Sequence, residues 1–153
     1  MPLVLRTLPP TSVTVQAGDC YGLCPVFDME VDSNGTVDFT GKRFTIRSGH
    51  SEGRSPEEDY DRFVAELDQH RPLFSSSPGP EDCPADGQFV RVTWWVGPIP
   101  TSFLLVGDGC KGANNDTAIA AIWAGLEFVD IEHYMGTRAE RKAREAVWMK
   151  ESL

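Results

Sequence analysis

The residues of this chain best suited to chemistry are its four cysteines, Cys20 and Cys24 close together and Cys83 and Cys110 well apart. Several states are open to them. Paired, they are structural disulfides that restrain the unfolded chain. As thiols, Cys20 would be an exposed nucleophile and Cys24 its resolving partner, which requires a thiolate stabilised by a nearby cation or a helix N-terminus. Nothing basic lies close to Cys20 in sequence, and the adjacent Asp19 opposes such a thiolate. As metal ligands all of them would form a zinc tetrathiolate, but such sites usually show two close pairs. Buried, unpaired thiols are the remaining state.

Gly49-His50-Ser51-Glu52-Gly53 matches the G-x-S-x-G pattern of a nucleophile elbow. The elbow works because its serine sits on a sharp turn from a strand directly into a helix, within a mostly parallel sheet. Here the helix signal begins only at Ser55-Pro56, and His70 and His133 have no reason to converge on Ser51. The pattern is read as a polar glycine loop between a strand and a helix.

Asp28, Glu30, Asp32 and Asp38 fall on one face of the strands that carry them and could hold a hard cation. Arg43 and Arg47 are expected across that face, which makes a solvated surface of mixed charge. Glu57, Glu58 and Asp59 are first-turn acids favoured by the helix dipole. Trp94 and Trp95 point to opposite faces of one strand, so one belongs to the core and the other can lie partly exposed beside Arg91. An exposed tryptophan with an arginine is typical of interface anchors, and Trp95, Arg91 and Trp148 are the candidate interface residues.

Hydrophobic periodicity supplies the elements that must position these groups. Val26 to Asp32 alternates, with Phe27, Met29 and Val31 apolar against Asp28, Glu30 and Asp32, and Val37 and Phe39 continue the pattern in the next run. A loop of Asn34-Gly35 alone would put charge and hydrophobe on one face. A loop of Ser33-Asn34-Gly35 pairs Val31 with Val37 and Met29 with Phe39, so it is predicted, with Gly35 left-handed. A third strand is predicted over Arg43 to Arg47, burying Phe44 and Ile46. Ser55-Pro56-Glu57-Glu58 opens a helix carrying Tyr60, Phe63, Val64 and Leu67, which stops near Arg71 because of Pro72.

Beyond the proline-rich loop Ser75 to Pro84, Phe89 to Val96 and Thr101 to Val106 read as a second hairpin joined through Gly97-Pro98-Ile99-Pro100. A single helix follows near Asp116 to Tyr134, with Gly136 as its stop. Thr137-Arg138-Ala139-Glu140 is a capping box that opens a charged final helix, anchored by Val147 and Trp148. If the second hairpin forms, Cys83 and Cys110 both leave its open end, within reach of a disulfide. Cys20 and Cys24 would then make the second bridge, in a small loop tightened by Gly22.

The chain has 153 residues, suited to one domain with a real core. With 14 basic against 23 acidic residues its net charge is -9, a potential that repels nucleic acid and anionic lipid. No apolar run approaches the roughly 20 residues of a membrane span. The first residues, Met1-Pro2-Leu3-Val4-Leu5-Arg6, lack the pattern of a secretory signal, which points to the cytoplasm. The cysteines suit an oxidising compartment equally well, and a missing leader would place the chain in the periplasm or envelope.

The segment Cys20-Tyr21-Gly22-Leu23-Cys24-Pro25-Val26-Phe27, with the Asn34-Gly35 turn and Gly41 after it, resembles an uncharacterised bacterial family, a domain of unknown function. Its signature is C-[FY]-G-x-C-P-x-[YF] before a β-meander and a helix, with later cysteines at the positions of Cys83 and Cys110. The resemblance runs from about Asp19 to Gly136, and it implies secretory or lipoprotein-type leaders among members. It brings no catalytic roles.

The sequence therefore predicts an α+β domain with an antiparallel sheet of about five strands, meander plus hairpin, packed on two main helices. Residues 1-18 form an N-terminal strand or arm, 19-136 the domain, and 137-153 a C-terminal helical extension. Cys20, Cys24, Cys83 and Cys110 are expected to be structural, with no catalytic set, metal or cofactor. The expected function is a non-catalytic binding or structural module, possible in the cell envelope, for a protein or small-molecule partner. The alternative is thiol-redox or zinc chemistry at Cys20 and Cys24.

Overall fold

The alternating segments near the N-terminus assemble one antiparallel sheet, seen in a computed structural model that describes residues 2–151. Its strands are β1 (Ser12–Ala17), β2 (Val26–Asp32), β3 (Thr36–Arg43), β4 (Gly49–Arg54), β5 (Phe89–Val96) and β6 (Ile99–Gly107). The sheet has six strands in the order β4-β3-β2-β1-β5-β6, not about five. The added strand is β1, which joins meander to hairpin as an interior strand with Val13, Val15 and Ala17 buried. Met1 of the expected arm, and Ser152 and Leu153 of the expected extension, lie outside the described residues.

The first hairpin takes the predicted register, with Val31 opposite Val37 and Met29 opposite Phe39. Gly35 has φ +87°, and a side chain there would collide with the Ser55 carbonyl oxygen. Glycine is required at that turn for both reasons.

The third strand lies at Gly49–Arg54 rather than at Arg43 to Arg47. Phe44 has φ +57°, which ends extended backbone, and the N–H groups of Ile46 and Arg47 donate to the carbonyls of Met135 and Tyr134. Phe44 instead meets the Trp148 ring, with centroids 5.7 Å apart. The apolar alternation at Phe44 and Ile46 thus serves contacts with helices, not a sheet face.

Helices α1 (Leu3–Thr7), α2 (Glu57–Asp68), α3 (Asn115–Phe128), α4 (Ile131–Met135) and α5 (Arg138–Glu151) complete the fold, with a 3₁₀ turn at Pro80–Asp82. The helix expected over Asp116 to Tyr134 is broken at Asp130, whose φ is +59°. That turn lets Leu126 and Val129 on one side, and Ile131, Tyr134 and Met135 on the other, all reach the core. Gly136 stops α4 with φ +93°, and the Thr137–Glu140 capping box forms in both directions at 3.0 and 3.1 Å.

Tyr60, Phe63 and Leu67 of α2 and Ala118, Ile122 and Leu126 of α3 cover one sheet face, over Phe27, Met29, Phe39, Val92 and Trp94. Phe27, Phe39 and Tyr134 stack successively at 5.4 and 5.3 Å. The buried Tyr60 hydroxyl donates to the Pro10 carbonyl at 3.0 Å, and burial, with smaller contributions from Asp32, Asp61 and Asp68, pushes it up to about 12. The opposite sheet face meets solvent, with Gln16, Glu30 and Arg91 exposed.

Candidate functional site

All four thiols are consumed in disulfides. Cys83 bonds Cys110 across the open end of the β5–β6 hairpin, and Cys20 bonds Cys24 within the loop between β1 and β2. No cysteine is free among the described residues, so neither Cys20 nor Cys24 presents a thiolate in this structure. Gln88 ties the smaller loop down. Its side-chain amide donates to Gly18 at 2.9 Å and to Pro25 at 2.8 Å, the two flanks of that loop. Arg43 does bring a cation to this region, but Asp19 engages it at 3.1 Å.

Ser51 lies within β4, opposite Phe39, and no helix follows it directly. G-x-S-x-G is therefore an edge strand instead of a loop. His70 stands beyond the end of α2, while His133 contacts Arg47 and the Tyr134 ring from α4. Among the described residues neither is hydrogen-bonded to Ser51. Glu57, Glu58 and Asp59 occupy the first turn of α2, as their spacing predicts. Trp148 is 7% exposed and packs beneath α5 against Phe44, so it fastens the helix to the body.

The solvent-facing side of the sheet brings the strand acids together. Strand register sets Glu30 opposite Asp38, Asp38 opposite Glu52, and Thr14 opposite both Glu30 and Thr93. This lays three carboxylates side by side on adjacent strands, an arrangement that like-charge repulsion disfavours. Partial burial, then the charges of Asp38 and Asp32, hold the Glu30 carboxyl above its ordinary value. The expected partners, Arg43 and Arg47, turn elsewhere, to Asp19 and to the His133 carbonyl. Lys42 instead meets Asp28 and His50 meets Asp38, each at 3.0 Å, and neither contact reaches Glu30.

Beside these acids the face turns aromatic. Trp95 is half-buried and its indole N–H donates to the Thr14 hydroxyl at 3.2 Å. Arg91 lies over the Phe103 ring, 4.0 Å from its centroid. A hollow of about 290 Å³ is lined by Glu30, Asp38, Asp28, Thr14, Thr93 and Trp95, among others. Trp95 thus adjoins the carboxylates, whereas Trp148 belongs to a different part of the molecule. Phe103 was not singled out by sequence reasoning; its place opposite Thr93 follows only from the pairing of β5 with β6.

What this surface can do is hold positive charge against carboxylates and an indole. Among the described residues no three of His, Cys, Asp and Glu come together as metal ligands, and no helix is long and apolar enough to cross a membrane. No curated protein matches the chain at a significant level. The family model for a domain of unknown function, DUF6438, matches residues 11–95, from just before β1 to Trp95 in β5. That stretch includes Cys20, Cys24 and Cys83 and the whole acidic row, and leaves Cys110 and the later helices outside it. With over half of its length so matched, the chain belongs to the DUF6438 family of domains of unknown function.

Proposed function

We propose that the protein is a non-catalytic binding module that receives a cationic segment of a partner protein on the open face of its sheet. The row of Glu30, Asp38 and Glu52 on adjacent strands carries this reading, because the free protein keeps an electrostatic cost that a bound cation would remove. Trp95 supports it by presenting an aromatic face beside the carboxylates, where a lysine or arginine gains a cation–π contact. The two disulfides favour a working place in an oxidising compartment such as the cell envelope.

The sign of the Glu30 shift gives the test. Its folded carboxyl titrates above the unfolded value of 4.5, so the folded state holds the proton more tightly and ionised Glu30 opposes folding at neutral pH. That opposition fades as the pH falls through the raised value. Glu30→Gln is expected to raise the denaturant midpoint at pH 7, with the gain vanishing below about pH 4.5. A Glu30→Gln, Asp38→Asn double variant is expected to bind decalysine about tenfold more weakly than the parent, and binding by the parent should weaken with salt. Amide shifts confined to β1 to β5, and centred on Glu30, Asp38 and Glu52, in a decalysine titration would support the reading. Shifts elsewhere, or none, would sink it.

The thiol-redox alternative draws support from the exposure of the Cys20–Cys24 loop, where Tyr21 is 85% exposed. Rapid exchange of that disulfide with glutathione, with Cys83–Cys110 left intact, would favour it over the binding reading.

A further inference from the structure

We propose that the cavity between the C-terminal end of α2 and the N-terminal end of α3 binds a small organic anion, with its apolar body on the β6 side and its charged head towards Arg71 and Lys111. The cavity has a volume of about 360 Å³, within the range of small-molecule sites. Its charge runs against that of the whole chain. Three of its lining residues, His70, Arg71 and Lys111, are basic, and none of the described residues lining it is Asp or Glu. In a protein of net charge -9 this is a reversal of sign within the lining, offset in part by Asp68, whose charge acts on Arg71 from the end of α2, and it favours anions over cations there.

Polar donors and apolar surface divide the walls. Ser76, Ser77 and Asn114 contribute hydrogen-bonding groups, while Leu104, Val106 and Ala118 supply the apolar floor. Asn114, the N-cap of α3, makes no side-chain capping bond; of the first-turn amides, that of Asn115 donates to the Gly112 carbonyl at 3.4 Å, and no side chain of Asn114 caps the others. The carbonyl end of α2 opposes an anion, and His70 and Arg71 offset it from the same segment. Arg71 is fixed by donating from Nη1 to the Leu8 carbonyl at 2.8 Å and from Nη2 to the Thr101 hydroxyl at 3.1 Å. Its Nε is buried and has no hydrogen-bond partner, so Arg71 acts on the cavity through its charge rather than through that donor.

The walls are also held before any ligand arrives. Ser76 is hydrogen-bonded to both Phe103 and Leu105 at 2.9 Å, and the Lys111 N–H donates to the Asp82 carbonyl at 2.8 Å. Asn115 bonds the Gly107 backbone, which locks the start of α3 to the end of β6. Cys110, adjoining Lys111, is bonded to Cys83. Such fixation lowers the ordering cost of binding.

The probes are benzoate and phenyl phosphate, compared with uncharged benzyl alcohol and cationic benzylamine, in amide-resolved NMR titrations of the whole chain. At least one anion is expected to shift Leu104–Val106 and Lys111–Asn115 with a dissociation constant of about 1 mM or tighter, at least tenfold tighter than either control. Lys111→Glu is expected to weaken that binding at least tenfold without lowering the thermal midpoint, and Lys111→Arg to retain it. Equal binding of benzyl alcohol, no shift with either anion, or full binding by Lys111→Glu would each overturn the proposal. Because this cavity and the sheet face use different residues and opposite charge, decalysine and benzoate test the two sites separately.

Discussion

Replacing Phe39 with alanine is expected to destabilise the fold by about 3–5 kcal/mol, as removal of a fully buried aromatic side chain commonly does. Phe39 is 0% exposed and sits between the rings of Phe27 and Tyr134, so its loss opens a gap on both sides of the stack. Its backbone is held between β2 and β4, opposite Met29 and Ser51, and cannot move to fill the space. Urea unfolding followed by circular dichroism gives the measurement. A loss below about 1 kcal/mol would show that α4 settles onto the sheet without the ring.

The second large effect concerns the Cys83–Cys110 bridge. The double replacement Cys83→Ser, Cys110→Ser is expected to lower stability by about 2–4 kcal/mol, because the bond closes a long loop of the unfolded chain. Its cysteines are 27 residues apart in sequence, against 4 for Cys20 and Cys24. The logarithmic dependence of loop closure on length makes the longer bridge worth about 1.5–2 kcal/mol more than the shorter one. Denaturant midpoints of the two serine double variants test this order. If the Cys20→Ser, Cys24→Ser variant proved the weaker, the shorter bridge would be stabilising native packing, through the loop that Gln88 holds, more than restraining the unfolded chain.

The parts legible in the sequence are those fixed by short-range rules. Strict alternation and one turn residue define the β2–β3 hairpin, and the capping box at Thr137 and Glu140 forms as its spacing demands. The antiparallel α+β architecture and the bridge at the end of the second hairpin follow from the same reasoning. What escaped was governed by neighbours distant in the chain. β4 is polar and carries glycines at both Gly49 and Gly53, so it reads as a loop; an edge strand needs little apolar character, and Gly53 leaves room for the Tyr134 hydroxyl. Phe44 and Ile46 alternate like strand residues, yet their partners lie on α4 and α5.

The same distinction applies to the sites. That Asp28, Glu30, Asp32 and Asp38 share a face is visible from period two, whereas the alignment of Glu30, Asp38 and Glu52 in one row required the register of strands. The basic lining of the cavity is less visible still. His70 and Arg71 come from just past the end of α2, Lys111 and Asn114 from the loop before α3, and each pair alone reads as ordinary surface.

The interior place of β1 has a bearing on how the chain is made. Val15 lies between Met29 on one side and Val92 on the other, so the β1–β2 seam can close early in vectorial synthesis while the β1–β5 seam must wait for a far later stretch. During that interval β1 offers an open hydrogen-bonding edge beside Val13 and Val15, available to any other nascent strand. A translational pause before β5 would lengthen this exposure, and slow codons placed there should lower the soluble yield more than the same codons placed after β6.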